Sequence, residues 1–429
     1  MRVAVIGAGI AGMVAAHRLC RRHEVTVFEA ADRLGGHTCT VDVELDARPY
    51  AVDMGFIVFN ERTYPRFCAL LAELGVESQR SNMSFSFSCA RSQLEYNGTS
   101  LDALFAQRRN LLSPMFLRML ADILRFNRIA RALHRAGCTD ETLGEHLARG
   151  RYSRAFIDCY IVPMGRSIWS ASEAAILGCP LRFFLEFFDR HGFLSIDDRP
   201  EWRAIRGGSR EYVRRLAAPW RSRARLSTPV AGVRRTPDAV LVRTARGEVE
   251  RFDYVVFACH SDQALRMLEP PTSLEQEILT AFPYQANDAV MHTDTRMLPR
   301  APRARAAWNY HRRAADSGPV AITYDMNILQ TLNAPAVFMV TLNRSEEMQR
   351  HCILHREHFH HPVYTPDAVA AQRRRHEISG HTRSFYCGAY WRYGFHEDGC
   401  ISGEWAAAEL ERVADAREPH REPLLEGCG

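Results

Sequence analysis

The chain begins, after Met1 and Arg2, with Val3-Ala4-Val5-Ile6-Gly7-Ala8-Gly9-Ile10-Ala11-Gly12. Its apolar start is typical of a strand buried on both faces, and helical periodicity follows from Met13 to Arg22. A strand, a Gly-x-Gly-x-x-Gly turn and a helix in this order predict a dinucleotide site. Gly7 would make the tight turn, Gly9 would let a pyrophosphate approach the backbone, and Gly12 would let helix and strand pack closely. The phosphates would lie at the helix N-terminus, where free amides favour an anion.

A second strand is predicted at Glu24–Phe28, and an acidic residue follows it. Glu29 lies 22 residues after Gly7, the spacing at which a carboxylate reaches the adenosine ribose hydroxyls. A carboxylate there accepts from a 2′-hydroxyl and repels a 2′-phosphate, so the pattern favours FAD or NAD over NADP. The alternative is a glycine-rich turn in an unrelated α/β protein.

A second glycine pair lies in Asp32-Arg33-Leu34-Gly35-Gly36-His37-Thr38. Its backbone can contact the same pyrophosphate, with Arg33 as a counter-charge. An acid followed by Arg-x-Gly-Gly resembles the flavin amine oxidase and phytoene desaturase superfamily, which binds FAD in this way. The resemblance implies an α/β fold, with a Rossmann-like FAD-binding domain built on a parallel sheet and a three-stranded antiparallel crossover. It also implies a discontinuous α+β substrate domain.

The length of 429 residues allows two domains with separate cores. Residue 81 is the predicted departure into the substrate domain, and Arg206-Gly207-Gly208-Ser209 before a helix marks the predicted return. The predicted ranges are 1–80, 205–265 and 380–412 for the FAD-binding domain, 81–204 and 266–379 for the substrate domain, and 413–429 for a flexible tail.

The composition is that of a soluble globular protein, with 46% apolar and 24% charged residues and a net charge of +5. We expect no nucleic-acid partner. No apolar run is long enough to span a bilayer, and the first strand begins so early that we expect no signal peptide. The expected location is the cytoplasm, with the inner face of the membrane as the alternative.

The 12 cysteines are scattered without a Cys-x-x-Cys pair, which indicates reduced thiols. The histidines of the only cluster are interrupted by arginine and lack a companion ligand set, so we interpret the cluster as a loop or surface feature and predict no metal site. They are His351, His355, His358, His360 and His361. The sequence contains no lysine, so every one of its 55 basic residues is arginine. The lysine that holds a water near flavin N5 in many flavin amine oxidases therefore has no counterpart, and Schiff-base chemistry is excluded.

A helix is predicted over residues 101–135, with arginines distributed around an apolar side. Such a helix can lie on an anionic membrane, or it can pack on the core with a solvated arginine face. The most aromatic segment, Leu181–Phe188, is predicted to be core, with a substrate channel as the alternative. Residues 226–259 predict three strands, Leu226–Arg234, Ala239–Thr244 and Asp253–Cys259.

The last motif joins an apolar strand ending in Gly388 to His396-Glu397-Asp398-Gly399 and a helix. It is similar to the closing flavin motif of the superfamily, in which an acid-glycine pair opens a helix directed at the ring. The usual Met-Glu-Gly is Glu-Asp-Gly here. A helix N-terminus at that position would stabilise negative charge on the ring. Tyr390, Trp391, Tyr393 and His396 are the side chains expected nearest the ring, and a structural or capping role is the alternative for His396.

The resemblance assigns FAD contacts to particular residues of this chain. Gly55 would pass close to the isoalloxazine ring, because any side chain there would collide with it. Val230 would offer its backbone to the adenine. The full set of expected cofactor residues is Gly7, Gly9, Ile10, Ala11, Gly12, Glu29, Ala30, Arg33, Gly35, Gly36, His37, Thr38, Met54, Gly55, Phe56, Ile57, Val230, Ala258, Gly388, Glu397, Asp398 and Gly399.

A narrower resemblance rests on Asp53–Asn60, Leu94–Gly98, Ala258–Asp262 and Gly388–Gly399. These stretches look like a bacterial subfamily of amine oxidase-like FAD proteins associated with methyl-, cyclopropane- and furan-fatty-acid pathways. The resemblance implies hydride transfer to flavin N5 from an apolar substrate, with desaturation of a methyl-branched fatty-acyl chain of a phospholipid as the leading hypothesis. Tyr390, Trp391 and His396 are the candidate catalytic residues.

Three alternatives remain open from the sequence. One is a redox-neutral flavin isomerase of unsaturated fatty acids, and another is an amine oxidase, which the absence of lysine disfavours. The third is a non-catalytic, flavin-bound partner that presents lipid to a methyltransferase.

Overall fold

A computed structural model of the protein describes residues 1–137, 140–195, 199–313 and 318–417. The helices are α1 Ile10–Leu19, α2 Pro65–Glu73, α3 Leu101–Leu104, α4 Pro114–Ala136, α5 Leu143–Arg149, α6 Arg154–Phe156, α7 Val162–Trp169, α8 Glu173–Leu177, α9 Leu181–Arg190, α10 Arg210–Ala217, α11 Ser261–Met267, α12 Ser273–Thr280, α13 Met326–Leu329, α14 Pro366–Gln372 and α15 His396–Arg417.

The strands carry the sheets that organise the molecule. They are β1 Arg2–Ile6, β2 Glu24–Phe28, β3 Thr40–Leu45, β4 Arg48–Asp53, β5 Val58–Asn60, β6 Ser78–Arg80, β7 Phe85–Cys89, β8 Glu95–Asn97, β9 Trp202–Ile205, β10 Ala224–Arg225, β11 Val230–Arg235, β12 Val240–Thr244, β13 Val249–Phe252, β14 Tyr254–Phe257, β15 Leu268–Glu269, β16 Tyr284–His292, β17 Trp308–Arg312, β18 Ile322–Asp325, β19 Met339–Leu342, β20 Ile353–Pro362 and β21 Ser384–Tyr386.

The predicted α/β class is confirmed by a five-stranded parallel sheet in the order β10-β2-β1-β14-β21. Strand β1 lies between β2 and β14, which buries Val3 and Val5 completely and explains its unbroken apolar sequence. The antiparallel crossover is formed by β11, β12 and β13, and β15 adds to its edge.

A seven-stranded sheet in the order β20-β16-β19-β18-β17-β7-β8 forms the centre of the second part of the molecule. Helices α4 to α9 pack with it around one large apolar core, which includes Phe116, Phe126 and Phe184. The predicted domain boundaries stay a prediction. Helix α15 reaches Arg417, five residues beyond the predicted domain end, and the remaining predicted tail, 418–429, lies outside the described residues.

Three predictions of local structure are corrected. The helix predicted over 101–135 is broken, because Pro114 starts a new helix after a short α3 and a 3-10 turn at Arg108–Leu112. The segment 226–259 holds a fourth strand, β13, because the chain reverses at Arg246-Gly247 and pairs again with β12. The histidine cluster, predicted as a loop or surface feature, lies mainly on a strand, since residues 353–362 form β20 along β16, while His358 and His360 are exposed as a surface feature would be. Among the described residues, no helix has the length and hydropathy needed to cross a membrane.

Candidate functional site

A cavity of about 910 Å³ extends from the glycine turns after β1 and β2 to aromatic side chains around α7 and α9. Its first end lies outside the carboxyl ends of parallel strands, where open α/β sheets bind their ligands. Most of the predicted cofactor residues line it. They are Gly7, Gly9, Ile10, Ala11, Glu29, Ala30, Arg33, Gly35, Gly36, His37, Met54, Gly55, Phe56, Ile57, Val230, Ala258 and Gly388, together with the predicted catalytic residues Tyr390 and His396.

The first glycine turn leaves open space where a pyrophosphate would need it. Gly7 has φ +101° and packs so closely on Ala258 that a Cβ would lie 2.8 Å from the Ala258 carbonyl oxygen. A Cβ at Gly9 would meet no atom within 4 Å. Gly9 is also the N-cap of α1, which has no capping side chain and no acid in its first turn. The amides of this helix end therefore remain available to an anion.

The second glycine turn packs directly against the first. The amide of Gly35 donates to the Ala8 carbonyl oxygen over 2.9 Å, and a Cβ at Gly36 would lie 3.0 Å from the Gly9 Cα. Arg33 fixes this turn by donating from Nη1 to the carbonyl oxygens of Gly36 and Thr38, at 2.9 and 3.0 Å. Its Nη2 lies 3.5 Å from Glu357 Oε1 on β20.

The acidic residue after β2 is held by backbone amides at the cavity wall. Glu29 accepts from the Ala8 amide at 2.7 Å and from the Ala31 amide at 2.9 Å. The Thr228 amide donates to the Glu29 carbonyl oxygen at 2.8 Å, which brings the start of the crossover, including Val230, to the same wall.

These residues fit FAD. The open cradle at Gly9 and Gly36 would hold the pyrophosphate, the Glu29 carboxylate would receive ribose hydroxyls, and Val230 would lie beside the adenine. The Tyr390 hydroxyl is buried in the cavity wall without a hydrogen-bond partner, and so is the Tyr364 hydroxyl. Because a buried hydroxyl rarely stays unpaired, both are candidate partners for a bound molecule.

His396 forms part of a buried polar cluster at the start of α15. Its Nε2 lies 3.0 Å from both Thr38 Oγ1 and the Tyr212 hydroxyl, which are themselves 2.5 Å apart. The imidazole stacks on Phe56 with a centroid separation of 3.6 Å. Burial lowers the pKa of His396 to about 3, so the ring is neutral near pH 7. This arrangement suits a positioning residue that holds Phe56 at the cavity wall.

Six predicted residues lie outside the cavity lining, namely Gly12, Thr38, Trp391, Glu397, Asp398 and Gly399. Gly12 faces Gly7, where a Cβ would collide with the Gly7 carbonyl oxygen, and Trp391 packs on Phe282 with ring centroids 5.2 Å apart. A Cβ at Gly399 would lie 2.5 Å from Ile10 Cγ2, so this glycine brings α15 against α1.

The acids of the closing motif cap helices in this structure. Glu397 accepts from the Arg66 and Phe67 amides at the start of α2, at 3.0 and 2.9 Å. Asp398 accepts from the Phe395 amide at 2.9 Å, and Arg392 lies 3.2 Å away. Burial nevertheless raises the pKa of Asp398 to about 7. The flavin contacts predicted for these two residues stay predictions.

Seven rings line the other end of the cavity, here called the aromatic end. Phe187 lies at its centre, 3.9 Å from His191, 4.8 Å from Trp169 and 5.0 Å from Phe395 between centroids. Most of α9 is core as predicted, whereas Phe187 reaches the cavity. The set is Trp169, Phe187, His191, Phe193, Trp202, Tyr393 and Phe395.

Sequence reasoning missed several cavity histidines. Two of these, His260 and His361, line the wall beside the predicted His37, with ring centroids 6.4 and 5.2 Å from that of His37, and burial lowers the pKa of His260 and of His361 to about 4. The alternation of His358, His360 and Pro362 with Phe359 and His361 is a strand signal that could have placed them. Cys39, His355 and Glu357 bring possible ligand atoms within 4.8 Å, but the Arg33 guanidinium near Glu357 opposes a cation, and we assign no metal there.

Comparisons with known proteins agree with this geometry. The chain matches the model of the family "flavin containing amine oxidoreductase" over residues 10–315. It is 26% identical over 343 residues to a Mycobacterium tuberculosis protein that carries the name flavin-containing monoamine oxidase AofH, which covers 76% of this chain and 70% of that protein.

Solved structures share the fold at low sequence identity. Cyclohexylamine oxidase from Brevibacterium oxydans IH-35A aligns with a TM-score of 0.69 and 16% identity, over 96% of this chain and 99% of that one. A fatty acid isomerase from P. acnes that produces CLA aligns with a TM-score of 0.67 and 16% identity, over 96% of this chain and 98% of that one.

The fold and the elongated cavity define an FAD-dependent flavoprotein of two structural parts. The chain belongs to the flavin containing amine oxidoreductase family.

Proposed function

We propose that the protein oxidises an uncharged, apolar substrate, and that this substrate is a fatty-acyl chain of a phospholipid. The observation that carries the proposal is the distribution of charge in the cavity. Its charged lining residues, among those described, are Glu29, Arg33, Arg266 and Glu357. None of them belongs to the aromatic end.

No carboxylate among the described residues lines the aromatic end, and Glu186, which interacts with Tyr393, lies outside the lining. His191 is the only titratable base of the aromatic end, and burial lowers the pKa of this imidazole to about 4, which leaves it neutral. Glu357 is the one carboxylate that β20 brings to the wall, and Arg33 already lies beside it. A cationic amine would be stabilised at the aromatic end by cation–π contacts alone. An acyl chain would bind more favourably, because its apolar surface would be removed from water.

The proposed reaction removes a hydride and a proton from adjacent carbons of the chain and leaves a carbon-carbon double bond. When bound, FAD supplies the two-electron acceptor for the hydride. The protein must then exclude water, align the chain and accept the proton. The seven rings of the aromatic end serve the first two needs, because rigid aromatic walls bury and orient an apolar ligand.

His191 is the proposed proton acceptor. Its Nδ1 lies 2.9 Å from the Phe187 carbonyl oxygen, which can only accept, so the ring hydrogen is on Nδ1. Nε2 therefore keeps its lone pair, on a ring that lines the cavity. His396 is less suited to this role, because its Nε2 already faces two hydroxyls.

Lipid analysis of cells with and without the protein tests the proposal. We expect phospholipids whose acyl chain is two hydrogens lighter to appear only with the active protein, and the saturated precursor to accumulate without it. A His191→Phe variant that still binds FAD serves as the control for catalysis. A lipid whose double bond moves without loss of hydrogen would instead indicate an isomerase. Unchanged lipids with oxidised amines would contradict the proposal.

A further inference from the structure

Exposed apolar side chains are concentrated on one segment of the surface. Ten large apolar residues are exposed in the described chain, and six of them lie between residues 101 and 124. The most exposed are Leu112, at 88%, and Leu101, at 76%. Concentration of apolar surface in this way marks an interaction site rather than ordinary scatter. The six residues are Leu101, Leu111, Leu112, Met115, Leu117 and Leu124.

The solvent-exposed face of helix α4 carries apolar residues in its first half and basic residues in its second half. Phe116, Met119 and Phe126 point into the core and anchor the helix. On the exposed side, positions 117, 121, 124, 128, 131 and 135 follow the three-and-four spacing that places residues on one face. The first half of this face carries Leu117 and Leu124, and the second half carries three exposed arginines, Arg128, Arg131 and Arg135. No salt bridge to another described residue engages these three arginines.

A basic pocket lies next to the exposed leucines. Its volume is about 650 Å³, and Arg108, Arg109 and Arg300 line it together with Glu95 and neutral groups. Arg109 donates to the Gln93 carbonyl oxygen at 2.7 Å, and Arg300 donates to Gln93 Oε1 at 3.3 Å, so both guanidinium groups contact neutral acceptors. Arg108 and Arg109 share the 3-10 turn Arg108–Leu112 with Leu111 and Leu112. The pocket therefore has a net positive charge at the edge of the apolar patch.

We propose that this surface docks on a membrane that contains anionic phospholipids. Leu111, Leu112, Met115 and Leu117 would enter the boundary between headgroups and acyl chains, while the arginines would contact phosphates. The inference rests on the proposed function in one respect, because docking would bring the enzyme to phospholipid acyl chains.

The charges favour a membrane over a protein partner or a second copy. In a symmetric dimer the same patch would face itself, and its carboxylates, Glu95 and the Asp102 that already pairs with Arg108 and Arg303, would leave most of the arginines buried without a counter-charge. An anionic bilayer supplies phosphate to every arginine and an apolar layer to the leucines at the same time.

Co-sedimentation of the full-length, FAD-loaded protein with vesicles tests the proposal. The vesicles contain saturated, straight-chain phosphatidylcholine, alone or mixed with phosphatidylglycerol, so that binding is measured without turnover. We expect binding to the mixed vesicles that weakens at high salt and little binding to phosphatidylcholine alone. This measurement separates docking from catalysis, because a protein that does not oxidise lipid can still bind the anionic vesicles.

Two variants and two matched controls sharpen the test. The double variant Leu111→Ser/Leu112→Ser should reduce vesicle binding about tenfold or more, since each buried leucine contributes strongly. The double variant Arg128→Gln/Arg131→Gln should reduce it by about fivefold per arginine and lower the salt dependence. Leu274→Ser and Arg246→Gln change exposed residues elsewhere and should bind like the wild type.

Melting temperature and FAD content confirm that each variant is folded. Equal binding by all variants, or no binding to anionic vesicles, would overturn the proposal. A dimer in solution that the leucine variant dissociates, without vesicle binding, would assign the surface to a second copy instead.

Discussion

Gly36 and Gly9 are in contact across the two glycine turns, with 3.0 Å between the Gly9 Cα and the position of a Cβ on Gly36. Two turns from separate parts of the N-terminal segment thus form one cradle that only glycine permits, because Gly36 also has φ +57°. The open side of this cradle is the wall of the cavity.

Gly9→Ala should weaken FAD binding without destabilising the apoprotein. A methyl group at Gly9 has open space in the empty protein but would occupy the approach of a pyrophosphate to the backbone. We expect an affinity loss of about tenfold to a hundredfold, the range for losing hydrogen bonds to a charged group. Flavin fluorescence titration measures it. Gly98→Ala, which also has open space but lies outside the cavity, should change neither affinity nor melting temperature.

Gly12→Ala should have the opposite effect to Gly9→Ala: it should destabilise the apoprotein rather than weaken FAD binding selectively. Its methyl group would collide with the Gly7 carbonyl oxygen, so helix α1 would have to move away from β1. Thermal unfolding of the apoprotein is the direct measurement. A Gly12→Ala protein with the wild-type melting temperature would contradict the packing role assigned to this glycine.

Tyr390→Phe should stabilise the empty protein and weaken its complex with a ligand. The Tyr390 hydroxyl is buried without a partner, and removing such a group relieves about 1 to 3 kcal/mol of desolvation cost. If the hydroxyl donates to a bound molecule, the variant should show a smaller rise in melting temperature on addition of FAD or substrate. Tyr152→Phe removes another unpaired buried hydroxyl that lies outside the cavity, and it should not alter that rise.

His191→Phe should reduce turnover by about a hundredfold or more, the usual contribution of a positioned base, while FAD content stays unchanged. Because the base must be neutral and its pKa is lowered to about 4, the acidic limb of the rate profile of the wild type should lie near pH 4 rather than near 6.5. Steady-state kinetics against pH provides the test. His376→Phe replaces an exposed histidine and should behave like the wild type.

Acid should destabilise the fold through histidines that are buried in the neutral form. His292 accepts at Nδ1 from the Asp294 amide at 3.1 Å and contacts Thr341 Oγ1 through Nε2 at 2.7 Å, and burial lowers its pKa to about 4. The unfolded chain binds a proton at this group below pH 6.5 and the folded chain does not, so the free energy of unfolding falls from about pH 6.5 down to about 4. One such histidine lowers the free energy of unfolding by about 3 kcal/mol between about pH 6.5 and about pH 4.

The variant His292→Gln should reduce the pH dependence of the unfolding free energy by about one proton. Denaturant unfolding at several pH values measures the slope. The exposed His376→Gln should leave the slope unchanged, and an equal slope for wild type and His292→Gln would refute the assignment.

The first glycine turn and its flanking elements were predictable because their signals are local. The β1 strand, the Gly7 to Gly12 turn and the acid at Glu29 all lie within one continuous segment, and the structure places the strands β1 and β2 as predicted. Local strand and turn signals also predicted two crossover strands, β11 and β12, whereas the crossover topology and the discontinuous second part came from the family resemblance.

The missed features depend on contacts between distant segments. His191 reaches the cavity because α9, which it follows, packs beside α7 and the loop before α15, and its ring tautomer follows from the Phe187 carbonyl group on α9. Glu397 turns to α2 because the α2 amides are unpaired there, a fact that only the packed structure reveals. The helix predicted over 101–135 is interrupted before Pro114, and proline is a known signal for such an interruption. The prediction followed the apolar periodicity on either side of the proline instead.

Net oxidation of an uncharged acyl chain is the proposed reaction, and anaerobic mixing distinguishes it from isomerisation and from amine oxidation. FAD-loaded protein is mixed without oxygen with phospholipid that carries a methyl-branched acyl chain, and flavin absorbance is followed, with a primary amine as the parallel substrate. We expect bleaching that persists with the phospholipid and no bleaching with the amine. Persistent bleaching with the amine alone, or a rearranged lipid product without lasting bleaching, would contradict it.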